Sequence, residues 1–355
     1  MANREKYLRA LRRQGGDKIP FELVLCPAHT DYLEETFGTR DYLEYFDIPL
    51  RYVDIKPTTK KPDFTGYYKD LPANASPLSW NPEWGVYSVP GSVAHFEEML
   101  NPMRDFKDIS EIESYPFPDF DADYRWEGLD EQVRAIKDKD LLALAFMEMT
   151  VFEVCWYMRG MENFLMDLLV DEEFACALMD RVVDIRVKMA RNYVKAGVDV
   201  LMLGDDVSTQ LDMMFSPELW RRLIKPRLAK ICEAARDENR DILIFYHGDG
   251  NLSAIIPDLI EVGIDILNPV QPECIDPAEM KKLYGDRLSF WGTVGTQTTM
   301  PFGTPAEVDA KVREMIETVG RGGGLLIAPT HVVEPDVPWE NIVAFVEAVK
   351  KYGNS

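Results

Sequence analysis

Two of the four histidines in this chain stand where an apolar run stops. Phe245-Tyr246 leads into His247-Gly248-Asp249-Gly250, and Leu325-Leu326-Ile327-Ala328-Pro329-Thr330 leads into His331. Other apolar runs end in acids or amides: Glu148 after Met147, Asp205 and Asp206 after Gly204, and Gln271 after Val270. Imidazole titrates nearest neutral pH and is the commonest metal ligand, while carboxylates either move protons or complete the shell of a hard or borderline cation. Gathered in one place, two imidazoles and a carboxylate suit zinc, with water or substrate in the remaining position. Taken singly, each group has a plainer reading. A histidine after a strand can simply hydrogen-bond a loop, and Asp205-Asp206 can cap the segment that follows. Gly248 and Gly250 suit backbone turns, since the chain contains no GxGxxG or GKS run for phosphate.

Groups this far apart in sequence meet only if the fold brings the ends of several apolar runs together. The runs cover residues 19–25, 52–55, 141–147, 200–203, 242–246, 266–270, 288–291 and 325–328, and their near-continuous apolar character reads as strands buried on both faces. Amphipathic spacing predicts helices over 152–169, 173–195, 217–237, 305–319 and 339–350. Ser216 ahead of Pro217 and Thr304 three residues ahead of Glu307 read as helix caps. Alternating strand and helix predicts an α/β fold, a single (β/α)8 TIM barrel spanning residues 1–355, in which strand C-termini converge on one face. Residues 56–138 break the rhythm. They are rich in Pro, Trp, Tyr and Asp and read as an elaborated, aromatic-rich loop insertion or lid, with one strand-like stretch over 84–89. His29 and His95 fall in expected loops and receive no role.

Composition narrows the partners. A formal net charge of -22 repels nucleic acid, anionic membranes and polyanionic small molecules unless arginines gather locally. The five cysteines are scattered and never spaced as CxxC, so neither a disulfide framework nor a cysteine-rich zinc module is expected. No run approaches the roughly 18 apolar residues of a membrane span, and the start lacks an apolar signal core, so a cytoplasmic protein is expected.

Several stretches together carry a family resemblance: Gly197 to Gln210, Phe215 to Trp220 with Lys225-Pro226, Tyr246 to Gly250, Trp291-Gly292, and Gly323 to Ile342. They resemble the uroporphyrinogen decarboxylase superfamily over nearly the whole chain, most specifically from about residue 141 onward. The resemblance implies a (β/α)8 barrel and two branches of chemistry. One is porphyrinogen decarboxylation; the other is zinc-dependent methyl transfer involving corrinoid proteins, including anaerobic O-demethylation. The decarboxylase branch grips a substrate of eight carboxylates with arginines just after the first strand, because guanidinium forks match carboxylates. Here that position reads Leu23-Val24-Leu25-Cys26-Pro27-Ala28-His29, with no arginine. The methyltransferase branch carries His-x-Cys and a distant Cys as zinc ligands; this chain has His247-Gly248-Asp249, with His331 where the distant cysteine would fall.

An all-nitrogen-and-oxygen ligand set departs from thiol-activating zinc and suits a zinc that polarises an ether oxygen. The expected activity is therefore transfer of a methyl group from a small methoxylated, aromatic compound to a corrinoid protein, with zinc as Lewis acid. His247, Asp249 and His331 are the expected ligands. Asp205, Asp206, Tyr157 and His331 are the expected catalytic groups, and Glu148, Trp156, Gln210 and Gln271 the expected substrate contacts, with Trp80, Trp84 and Tyr87 in an aromatic lid. The expected partners are the methyl donor and a corrinoid-binding protein; a homodimer is one option for assembly. The alternative is decarboxylation of a small acid or tetrapyrrole, with Asp205, Tyr157 and His331 handling protons without metal. A third reading is a barrel that binds a ligand without turnover.

Overall fold

The computed structural model describes residues 2–15, 18–78, 82–92 and 96–353. Seven parallel strands form one curled sheet in the order β1 (Leu50–Val53), β5 (Leu142–Phe146), β6 (Val200–Gly204), β7 (Leu243–His247), β8 (Ile266–Asn268), β9 (Ser289–Val294) and β10 (Leu325–Pro329). Almost every residue of β5 to β10 is buried, as near-continuous Val, Leu, Ile and Phe runs demand when helices cover the outer face. The expected first strand, 19–25, is not a regular strand. It joins the far side of β10 through an isolated bridge, Phe21 to Ile327, and the segment after β10 through another, Leu25 to Val333, and Pro20 has no N–H with which to extend the ladder. The side chain of Tyr52 on β1 in turn hydrogen-bonds Glu22, so the two ends of the strand order meet at Glu22 and the architecture is TIM-barrel-like.

The helices follow the expected pattern with two breaks. The stretch expected as one helix over 152–169 is two, Phe152–Arg159 and Met161–Val170, separated at Gly160, whose φ of 90° a helix does not allow. The stretch over 217–237 is Pro217–Leu223 followed by Lys225–Glu238, interrupted where Pro226 lacks an amide proton. Both expected caps form: Ser216 Oγ accepts from the Leu219 amide, and Thr304 and Glu307 make a reciprocal capping box. Among the described residues no helix is long and apolar enough to cross a membrane.

The insertion contains a small antiparallel sheet, β2 (Ser76–Pro77), β3 (Tyr87–Pro90) and β4 (Glu97–Leu100). The expected strand over 84–89 thus starts later, at Tyr87. Trp84 belongs to a short 3-10 turn and is fully buried against Phe117, with the Arg186 guanidinium 5.3 Å from its ring. Phe64, Tyr67 and Tyr115 pack ring against ring at centroid separations of 4.9 to 6.5 Å, so these aromatics serve a local core. Trp80 and His95 lie outside the described residues.

Candidate active site

His247 is the last residue of β7, and its Nδ1 lies 2.7 Å from Asn268 Oδ1 at the end of β8. The Asn268 amide nitrogen donates to the Trp291 carbonyl at 3.3 Å, which leaves the amide oxygen to accept from the imidazole. Nδ1 therefore donates to Asn268, and Nε2 faces the acids, 3.5 Å from Asp206 Oδ1 and 3.9 Å from Asp249 Oδ1, where it would offer a lone pair once a bound cation displaced its proton. His331 follows β10, and its Nε2 lies 3.8 Å from the other Asp249 oxygen. The two imidazole centroids are 6.3 Å apart, and donor atoms of His247, Asp249 and His331 all lie within 4.8 Å of one another. The loop carrying Asp249 is fixed from three sides: its amide donates to Asp206 Oδ1, its carbonyl accepts from Ser208 Oγ, and the next amide, Gly250, donates to Gln271 Oε1. Gly250 has a φ of 87°, and a Cβ there would stand 2.3 Å from the Thr209 carbonyl oxygen, so glycine is required for this turn.

Asp249 Oδ1 is buried without a hydrogen-bond partner among the described residues, although it sits beside an imidazole. A buried acceptor left unsatisfied is costly, and a cation between the two imidazoles would satisfy it. The electrostatics point the same way. Burial opposes charge on His247, but Glu148, Asp206 and Asp249 outweigh it and hold its pKa up at about 10. Burial lifts Glu148 to about 7 and raises Asp249 as well. Such a cluster is short of positive charge, and two imidazoles with one carboxylate are a donor set that zinc accepts.

Beside this cluster a cavity of about 500 Å³ reaches into the barrel mouth. His247, His331, Asn268 and Glu148 line it together with Glu22, Tyr52 and Phe146, and none of its lining residues is Lys or Arg. No described residue of 56–138 lines it, so the expected aromatic lid, Trp84 and Tyr87 included, is not found over this cavity.

The sequence-predicted residues separate into groups. His247, His331 and Glu148 share the cavity wall, with Asp206 and Asp249 against the imidazoles. Asp205, expected to act on protons, instead points away: its oxygens accept from the Val151 and Glu153 amides and so cap the Phe152–Arg159 helix. The Tyr157 hydroxyl donates to Glu153 at 2.7 Å, and Glu153 accepts the Asp206 amide at 3.0 Å, so this pair stands behind the metal-type cluster. Trp156 packs edge-on against Tyr157, Gln210 is exposed and bonded to Gln297, and Gln271 holds the Gly250 amide; none of the three lines the cavity. Sequence reasoning missed Glu22, Tyr52, Asn268, Trp291 and Glu153. The available signal was a polar residue inside an apolar run: Glu22 within Phe21-Glu22-Leu23, and Asn268 within Leu267-Asn268-Pro269.

A barrel-like sheet with an imidazole–carboxylate cluster at its strand C-termini defines the class: a (β/α)8-type fold with a candidate metal centre. The family model described as Uroporphyrinogen decarboxylase (URO-D) matches residues 86–352, and the chain belongs to that family. A methylcobamide:CoM methyltransferase, MtaA, of Methanosarcina barkeri is 30% identical over 179 residues, 49% of this chain and 49% of that protein. The match thus spans about half the length of that curated relative. A uroporphyrinogen decarboxylase of Coxiella burnetii is 24% identical over 264 residues, 71% of this chain and 69% of its own. Among solved structures, a methyltransferase from Methanosarcina mazei superposes with a TM-score of 0.71 at 18% identity, covering 99% of both chains, a likeness of fold.

Proposed function

We propose that this chain transfers a methyl group from a small methoxylated, aromatic compound to the corrinoid of a partner protein, with zinc held by His247, Asp249 and His331. The observation that carries the reading is the Asp249 carboxylate, which faces His247 through an orphaned oxygen and His331 through the other, beside an acid-lined cavity. The resemblance to a relative named for methylcobamide supports the corrinoid partner. Bound there, zinc would act as a Lewis acid on the ether oxygen and stabilise the departing phenolate. Asn268 keeps the His247 Nε2 lone pair aimed at the cluster, and Asp206 holds the Asp249 loop in place. Glu148 stands on the cavity wall as a proton source for the leaving oxygen. Tyr52 and Phe146, with rings 6.4 Å apart, offer an apolar wall to an aromatic substrate.

The test is methyl transfer from an aromatic methyl ether to reduced cobalamin, followed by its absorbance change. Transfer that a chelator stops and added zinc restores supports the proposal; transfer indifferent to chelation refutes the role of the metal. The wider match to uroporphyrinogen decarboxylases favours a second reading, decarboxylation of an acid. Carbon dioxide release from a candidate acid, unaffected by chelator, would establish it instead.

A further inference from the structure

The wall of the cavity contributed by residues 19–25 carries a carboxyl group that the methyl-transfer chemistry leaves unused. Glu22 is only 7% exposed and lines the cavity. The Tyr52 hydroxyl donates to its Oε1 and the Trp291 indole N–H to its Oε2 at 2.7 Å. Each carboxylate oxygen has two acceptor positions, so these two neutral donors leave one on each oxygen. Among the described residues no Lys, Arg or His makes an ion pair with Glu22, and no Lys or Arg lines the cavity. A buried carboxylate held by two neutral hydrogen bonds is expensive, since they do not replace its hydration: burial raises the Glu22 pKa, and His247, at longer range, only partly opposes this. The protein has nonetheless built a holder for it from two strands at opposite ends of the chain: Tyr52 on β1 and Trp291 on β9. Glu22 shares the cavity wall with His247 and His331 but is not among the donors of the metal-type cluster.

We propose that Glu22 is the specificity-determining residue of this cavity and selects methyl donors whose non-reacting end carries a cationic, hydrogen-bond-donating group such as a primary ammonium. The inference rests on reading this cavity as the methyl donor's site. An ammonium can use the open acceptor positions of Glu22 and supply the missing charge, while Tyr52 and Phe146 contact the aromatic body. A carboxylate at the same end would face Glu22, Glu148 and Asp54 with no Lys or Arg on the cavity wall to compensate.

Binding to the purified, zinc-loaded protein distinguishes these cases by calorimetry, using para-methoxybenzylamine, para-methoxytoluene and para-methoxybenzoate as probes. The amine should bind at least about tenfold tighter than the neutral parent, the scale of one charge-assisted hydrogen bond, with the benzoate weakest. Glu22→Gln, checked for folding by its thermal transition, should remove the amine's advantage and leave the neutral parent within about twofold. Equal affinity of amine and neutral parent, or tighter binding of the benzoate, overturns the proposal on the wild-type protein alone, whether or not the variant folds. Because binding needs neither corrinoid nor turnover, a missing methyl-transfer activity would not disturb this ranking, and a reversed ranking would leave methyl transfer standing.

Discussion

At the scale of single residues, Asn268 decides which nitrogen of His247 faces the acids. Its Oδ1 accepts from Nδ1 and its Nδ2 is committed to the Trp291 carbonyl, so the ring is held in one orientation, with Nε2 the nitrogen left to bind a metal. Asn268→Ala should weaken zinc binding by about 10- to 100-fold while leaving the helical content intact, read by competition with a chromogenic chelator and by circular dichroism. Unchanged affinity would show that the ring needs no such support. His247, Asp249 and His331 were legible in the sequence because each follows an apolar run that stops. Asn268 and Glu22 were not, because a polar residue inside an apolar run looks like an interruption until neighbouring strands supply its partners. Asp205 was the harder case. Its spacing fits a strand end, and only the position of the next helix shows that its carboxylate receives backbone amides.

At the scale of elements, the helix Phe152–Arg159 is tied to β6 by Asp205 and to the cluster by Glu153. Asp205→Ala strands the Val151 and Glu153 amides in a buried setting, so it should cost about 1–3 kcal/mol in urea denaturation. A loss near zero would mean that water replaces the cap. Burial, then Asp206 and Asp205, push Glu153 up from 4.5 to about 8. A carboxyl with a raised folded pKa favours the folded state fully below its unfolded value, and that contribution disappears as pH rises through the folded value. Stability of the chelator-treated protein should therefore fall between about pH 5 and about pH 9, and Glu153→Gln should flatten that slope. A wild-type slope that the variant reproduces would contradict this assignment. The strands of the second half were legible from their length and apolar character. The breaks at Gly160 and near Pro226 were less so, because amphipathic spacing continues across both and the interruption lies in the backbone.

For the whole molecule, a net charge of -22 and a cavity wall without Lys or Arg set what can enter. Uroporphyrinogen, with its eight carboxylates, should not be converted to coproporphyrinogen; fluorescence of the oxidised products after anaerobic incubation reads this directly. Accumulation of coproporphyrin would mean that the family's decarboxylase chemistry persists without arginine at the cavity. The barrel was legible from alternation alone, whereas the meeting of its edges at Glu22 depends on side-chain hydrogen bonds that no pattern encodes. The insertion misled for a definite reason: aromatic-rich sequence suits a lid and a local core equally, and here Phe64, Tyr67 and Tyr115 pack on each other. What the proposed function requires at every scale is one ion shared by groups from two distant strand ends. Elemental analysis of protein purified without chelator should find about one zinc per chain in the wild type and almost none in His247→Ala or His331→Ala. A metal-free wild-type protein that still transfers methyl groups, or variants that keep their full zinc, would contradict that claim.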